Sequence, residues 1–238
     1  VALGDGAGGF GPPSFVLTDF GRSGGGWDGT RHVRLLADLT GANGMDIVGF
    51  GEDSVWVAFA DGAGGFGPTQ RAVAGFAVQD GWHTDVHVRT LADLTGNGRP
   101  DIVGFGDAGV WVALNDGTGH FGDMRFVLEE FGTAQGWTVG TRTRLVADLD
   151  GDGRADLIGF REDGLVIARG DGAGSFATPE LVLPFFGSAT GLVPWDPVLH
   201  PRLVADLTGN GAADVVGFAD DGVWVLVFDT DGPLGPQL

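Results

Sequence analysis

Four times the chain gathers carboxylates and neutral oxygens on a glycine-bent loop. The pattern Asp-x-(Thr/Asp)-Gly-(Asn/Asp)-Gly-x-x-Asp sets side-chain oxygens at loop positions one, three, five and nine. Closely spaced, oxygen-only ligands suit a hard cation such as calcium, and the glycines allow the tight bend. The third loop carries four carboxylates, Asp148, Asp150, Asp152 and Asp156, and is expected to bind most tightly. The second offers Asp93, Thr95, Asn97 and Asp101, and the fourth Asp206, Thr208, Asn210 and Asp214, so weaker binding is expected there. The first keeps Asp38, Thr40 and Asp46, but Ala42 stands at a ligand position and Asn43 replaces a glycine, so this loop is expected to be empty or distorted. Asp, Asn and Gly also form good turns without any metal, and that reading stays open for each loop.

A second constellation lies upstream of each loop, with the spacing W-x4-H-x-R: Trp27, His32, Arg34; Trp82, His87, Arg89; Trp195, His200, Arg202. The third copy reads Trp137, Arg142, Arg144 and lacks the histidine. Period-two alternation puts the histidine and arginine on one face near the start of a strand. Trp56, Trp111 and Trp224, at the start of a later strand, return to the same end, with Val166 in the third copy. An aromatic plate beside fixed hydrogen-bond donors is what a sugar needs, since its C–H face stacks on indole and its hydroxyls take directional bonds. Core packing of the tryptophans and ion pairing of the arginines form the competing reading.

The elements that must position these groups follow from repetition. RLLADLTGANGMDIVGF, RTLADLTGNGRPDIVGF, RLVADLDGDGRADLIGF and RLVADLTGNGAADVVGF begin at residues 34, 89, 144 and 202, a period of about 55 that signals propellers or solenoids. Each is followed by a phrase such as SVWVAFADGAGGFG and an apolar run such as FVLTDFG or FVLEEFG. Short runs rich in Val, Leu, Phe and Trp between Gly/Asp/Asn turns, with no helix-length periodicity, predict an all-β chain. The expected architecture is a β-propeller of four-stranded antiparallel blades, one domain over 1–238. Its repeats run roughly over 1–56, 57–111, 112–166 and 167–224, with a hairpin remnant at 225–238. The second strand of each repeat is apolar on both faces, as a blade between two neighbours requires. The last repeat stops after its third strand and hairpin, so residues 15–20 are expected to lend it a fourth strand. The alternatives are a longer array or a ring completed by another chain, as in a homo-oligomer.

Composition narrows the function. A formal charge of −19 repels phosphate backbones and anionic lipid, so nucleic acid is excluded as a partner and membrane insertion is not expected. There is no cysteine, hence no disulfide and no thiolate metal site. No apolar stretch approaches a membrane span, and Val1 opens without a charged and apolar leader, so the sequence reads as mature, trimmed or leaderless. Secreted and cytoplasmic locations both stay open.

The combined phrase LADLTGNGRPDIVGFGDAGVWVALNDGTGHFG, preceded by GW and HVR, resembles the repeat of the Psathyrella velutina-type lectins, and the acidic loops look like the FG-GAP and VCBS-type repeats of integrin propellers. The resemblance covers essentially the whole chain. It implies a seven-bladed propeller with structural calcium and with monosaccharide pockets, notably for N-acetylglucosamine, between adjacent blades. Carried onto this chain, it implies pockets of Trp27, His32, Arg34, of Trp82, His87, Arg89, and of Trp195, His200, Arg202. Trp56, Trp111 and Trp224 would come from adjacent blades. Arg142 and Val166 in the third repeat, and the insertion FGSATGLVPWDP in the fourth, imply silent or altered pockets. The resulting expectation is a multivalent glycan-binding lectin, with an integrin-like adhesion propeller as the alternative. Catalysis needs one asymmetric constellation with separated pKa values, and the near-identical copies supply none, so no enzyme is expected.

Overall fold

The computed structural model describes residues 2, 4, 6–42, 44–190 and 195–229 and the backbone of 232–236. Among the described residues sixteen short strands form four antiparallel sheets, each a simple meander. The first contains β1 (Arg34–Ala37), β2 (Asp46–Phe50), β3 (Val55–Ala58) and β4 (Gln70–Val73). The second contains β5 (Val88–Ala92), β6 (Asp101–Phe105), β7 (Val110–Ala113) and β8 (Arg125–Leu128). The third contains β9 (Arg144–Ala147), β10 (Asp156–Arg161), β11 (Gly164–Ala168) and β12 (Glu180–Leu183). The fourth contains β13 (Arg202–Ala205), β14 (Asp214–Ala219), β15 (Gly222–Asp229) and β16 (Gly232–Pro236). The repeat boundaries read from sequence fall inside these sheets, because the repeated phrase bridges the turn from one strand to the next. No helix among the described residues is long and apolar enough to cross a membrane.

The chain divides into two compact units, Val1–Thr84 with Asn115–Met124, and Asp85–Leu114 with Arg125–Leu238. In the first, the segment before β1 lies on the first sheet, where Phe20, Trp27 and Ala58 form a buried cluster. In the second, Phe105, Val112, Phe131, Trp137, Leu157 and Val166 fill one core, and Ile158, Leu165, Phe186, Trp195, Val215 and Phe228 fill another. A strand inside a four-stranded sheet with a core on either side must be apolar on both faces. In β10, with Leu157 in one core and Ile158 in the other, the first five residues are accordingly buried.

One expectation about the ends is corrected. The fourth strand of the last sheet is β16, paired with a β15 that runs eight residues, and residues 15–20 carry no strand. The terminal segment thus supplies the edge strand of its own sheet, antiparallel to β15.

Four phenylalanines, Phe20, Phe76, Phe131 and Phe186, have φ between 55° and 63°. Bulky residues avoid this left-handed region, at a cost of about 1–2 kcal/mol each. Burial of the rings offsets that cost, since all four are at most 8% exposed. For Phe20, Phe131 and Phe186 the reason lies in the glycine of the DIVGF phrase and its counterparts. A Cβ on Gly49 would meet Trp27 Cη2 at 2.4 Å and Phe20 Cε1 at 2.6 Å; Gly159 meets Trp137 and Phe131, and Gly217 meets Trp195 and Phe186, in the same way. The missing side chain is the seat for one indole and one phenyl ring.

Candidate functional site

The seated indoles are core residues rather than open plates: Trp27 is 6% exposed, Trp82 5%, Trp195 1%, and Trp137 is fully buried. The half-buried aromatic faces are those of Trp56, Trp111 and Trp224. In the first and second sheets the register slips between Val55 and Trp56 and between Val110 and Trp111. A bulge at that step re-aims the indole. In the third sheet the slip recurs before Val166, which is buried.

His32, His87 and His200 precede their strands rather than lying in them, so strand alternation does not place them. A turn does. His32 N–H donates to Asp28 O at 2.8 Å, and Asp28 N–H donates to His32 Nδ1 at 2.9 Å. Asp196 N–H donates likewise to His200 Nδ1 at 2.9 Å. An acceptor at Nδ1 leaves the proton on Nε2. His32 Nε2 stands 3.3 Å from Glu52, His87 Nε2 3.0 Å from Asp107 and His200 Nε2 3.3 Å from Asp220. Arg142 keeps the relationship without the ring, donating to Glu162 at 3.1 Å and to Gln135 O.

In the first unit these groups line a cavity of about 350 Å³, bounded by Asp19, Gly25, Gly26, Trp27, Arg31, His32, Gly51, Glu52, Asp53 and Trp56. Trp27, His32 and Trp56 of this cavity come from one repeat. The acids around it are held by donors. Asp19 accepts from the Trp27 indole at 2.9 Å, Asp53 from the Trp56 indole at 3.2 Å and Glu52 from Arg31 at 2.9 Å. Burial raises the Asp19 carboxyl, but bonds from Phe20 N–H, Trp27 and Thr69 outweigh it and hold it below the usual carboxylate range.

The arginines of the motif lie elsewhere. Arg34 donates to Phe20 O at 2.9 Å and does not line the cavity. Arg144 donates to Phe131 O and Trp137 O and stacks over Phe105, its carbon Cζ 5.6 Å from the ring centre. Arg202 donates to Trp195 O and Thr143 and stacks over Phe160 at 4.9 Å. Arg89, Arg144 and Arg202 are only 3–4% exposed, and burial pulls their pKa down to about 10. The geometry of Arg144 and Arg202 is that of braces beneath the tryptophan, where a guanidinium can reach backbone carbonyls. Trp82 belongs to the first compact unit, and His87, Arg89 and Trp111 to the second.

The other repeats of the second unit depart from the first cavity. In the third, a cavity of about 430 Å³ is lined by Glu130, Gln135, Arg142, Arg161, Glu162 and Asp163, with no aromatic face. In the fourth, Phe185 takes the place of Asp19 and packs between two indoles, 6.0 Å from Trp195 and 5.4 Å from Trp224. Trp195 Nε1 is buried without a hydrogen-bond partner.

The acidic loops lie beyond the other end of β1 and its counterparts. The first aspartate of each caps its own loop: Asp93 accepts from the amides of Thr95, Gly96, Asn97 and Gly98, and Asp38, Asp148 and Asp206 do the same. The last aspartate clamps the loop to a neighbouring hairpin. Buried Asp46 accepts from Leu39 and Ala60, and Asp214 from Leu207 and Phe228; Asp101 accepts from Leu94. Asn210 spends its amide on Phe228 O and Ala212, and Asn97 accepts from Arg99. The carboxylates converge most closely in the third loop, where Arg169 already contacts two of them. There Asp148, Asp150 and Asp156 offer oxygens within 4.8 Å of one another, the one such trio among the described residues. Asp152 is not part of it, because Arg154 holds it through both backbone and guanidinium. Asn43 of the first loop lies outside the described residues.

Residues 93–159 match the FG-GAP-like repeat family. No curated protein is significantly similar to the chain. Among solved structures the chain is similar to a lectin of Agrocybe aegerita that specifically recognises non-reducing terminal N-acetylglucosamine. The two are 42% identical with a TM-score of 0.92, over 99% of this chain and 58% of that one. The pore of the Photorhabdus luminescens Tc holotoxin shares the fold alone, at 24% identity and a TM-score of 0.58, over 80% of this chain and 8% of that one. The four sheets are β-propeller blades. The chain spans 58% of the lectin's length.

Within these blades, sequence reading missed the carboxylates Glu52, Asp107, Glu162 and Asp220. Each follows its histidine or arginine by 20 residues, on the turn after the second strand. That constant offset was the available signal.

Proposed function

We propose that the chain binds glycans without chemistry, as a lectin for a terminal sugar of the N-acetylglucosamine type. The observation that carries this reading is the half-buried Trp56 indole on a cavity of about 350 Å³ that also presents Asp19, Arg31, His32, Glu52 and Asp53. That volume lies at the small end for ligand pockets, the scale of one sugar ring. The C–H face of the ring stacks on Trp56, while Arg31 and His32 supply donors and Asp19, Glu52 and Asp53 supply acceptors. The lectin of Agrocybe aegerita, similar over nearly the whole chain, supports the same ligand class, and membership of the Psathyrella velutina-type lectins is part of the proposal. The second repeat, with His87, Asp107 and Trp111, is proposed to serve likewise. The third has no indole to stack on, and Phe185 fills the fourth. Calcium is proposed as a structural ion of the second and fourth loops, away from the sugar.

The test is calorimetric titration and glycan-array binding of the folded chain. Binding to terminal N-acetylglucosamine, weakened in Trp56→Ala and His32→Ala, is the expected result. A folded chain that binds no glycan on the array sinks the proposal.

A further inference from the structure

The third repeat departs from its siblings at three places that meet in space. Asp150 and Asp152 stand where the second and fourth loops have Thr95, Thr208, Asn97 and Asn210. Arg169 stands after the third strand where the other repeats have Phe59, Leu114 and Val227. Two added carboxylates and one added guanidinium therefore occur together in one repeat and in no other.

The structure brings them into contact. Arg169 Nη1 lies 2.5 Å from Asp156 Oδ2 and 3.4 Å from Asp150 Oδ2. These oxygens belong to two of the three carboxylates that converge in this loop. The third, Asp148, is occupied by the amides of Asp150, Gly151 and Gly153, and Arg154 attends Asp152. The guanidinium thus stands against two of the three carboxylates that a divalent cation would need. It cannot be discharged, and its partner Asp156 is almost wholly buried, with 3% of the side chain exposed. A calcium ion entering this loop would have to break a charge-assisted bond to a buried carboxylate, and the ejected guanidinium finds no equal partner in water.

We infer that Arg169 is the resident counter-ion of the third acidic loop, holding Asp150 and Asp156 together without metal. The loop richest in carboxylates is therefore less dependent on calcium than the second and fourth. This reverses the order expected from counting acids, and it is independent of sugar binding.

The test counts calcium bound to the full chain by equilibrium dialysis against calcium alone, with thermal melting with and without chelator. Asp150→Asn is expected to leave the number of bound ions unchanged. Arg169→Leu, which installs the residue of the second repeat, is expected to gain one bound ion per chain and a melting temperature that chelator lowers further than in the parent. Arg169→Gln, which removes the charge and keeps a donor, serves if the leucine variant does not fold. The inference is overturned if Asp150→Asn removes one bound ion from the parent chain, or if the folded Arg169 variant gains neither an ion nor chelator sensitivity.

Discussion

His32 and Glu52 stand 3.3 Å apart across the rim of the first cavity, the ring nitrogen that carries the proton facing the carboxylate. The ring is fixed from behind by Asp28 N–H and from in front by Glu52, so it meets a ligand already oriented. Glu52→Ala frees the front of the ring and removes one acceptor. Glycan affinity is expected to fall about tenfold, roughly 1.4 kcal/mol, with stability nearly unchanged because Glu52 is a surface partner. Titration calorimetry beside a thermal melt separates the two effects.

Phe185 occupies in the fourth repeat the space that Asp19 leaves open in the first. Phe185→Asp both empties that space and gives the Trp195 indole an acceptor. The number of sugars bound per chain is expected to rise by one. An unchanged stoichiometry in a folded variant counts against occlusion by Phe185.

Gly159→Ala forces a methyl group to within 2.4 Å of Trp137 and 2.6 Å of Phe131. Both rings are fully buried. Overpacking of this kind is expected to cost about 1–3 kcal/mol, read as a shift of the urea midpoint at constant slope.

Asp19 sets an acid limit on the cavity. Its folded-state pKa lies below the ordinary 3.8, so its stabilising contribution is whole above that value and drains away as pH falls through the folded pKa. Asp19→Asn is expected to lose part of the parent's stability near neutrality and to show a flatter decline below about pH 4. Denaturation midpoints for both proteins across that range check the sign.

The blades were legible because a fully buried middle strand leaves an uninterrupted apolar word, DIVGF, that nothing else in the chain mimics. The positions of the tryptophans, histidines and arginines were legible too. Their depths were not. Trp27 and Trp56 are equal in type, yet one is seated over Gly49 and the other lies half open, a difference set by a bulge and a glycine that spacing alone does not weigh. Arg202 reads as a donor for a ligand and instead reaches Trp195 O, because a long side chain buried at its stem finds backbone carbonyls first. Loop acids counted as ligands turn out to be engaged already, Asp46 by two amides and Asp156 by Arg169, since a carboxylate in a tight turn is satisfied by whatever donors the turn supplies.

The four left-handed phenylalanines bear on how such a chain assembles. Phe131 follows the last strand of the second sheet, yet the glycine that receives its ring is in the third, and Phe186 and Gly217 span the third and fourth in the same way. Before that glycine arrives, nothing favours the positive φ, and the segment relaxes to an extended form. The ends of the second and third sheets therefore reach their final geometry only on the surface of their successors. A single repeat excised from the chain would lose this turn, and unfolding should propagate backwards from one sheet to the one before it.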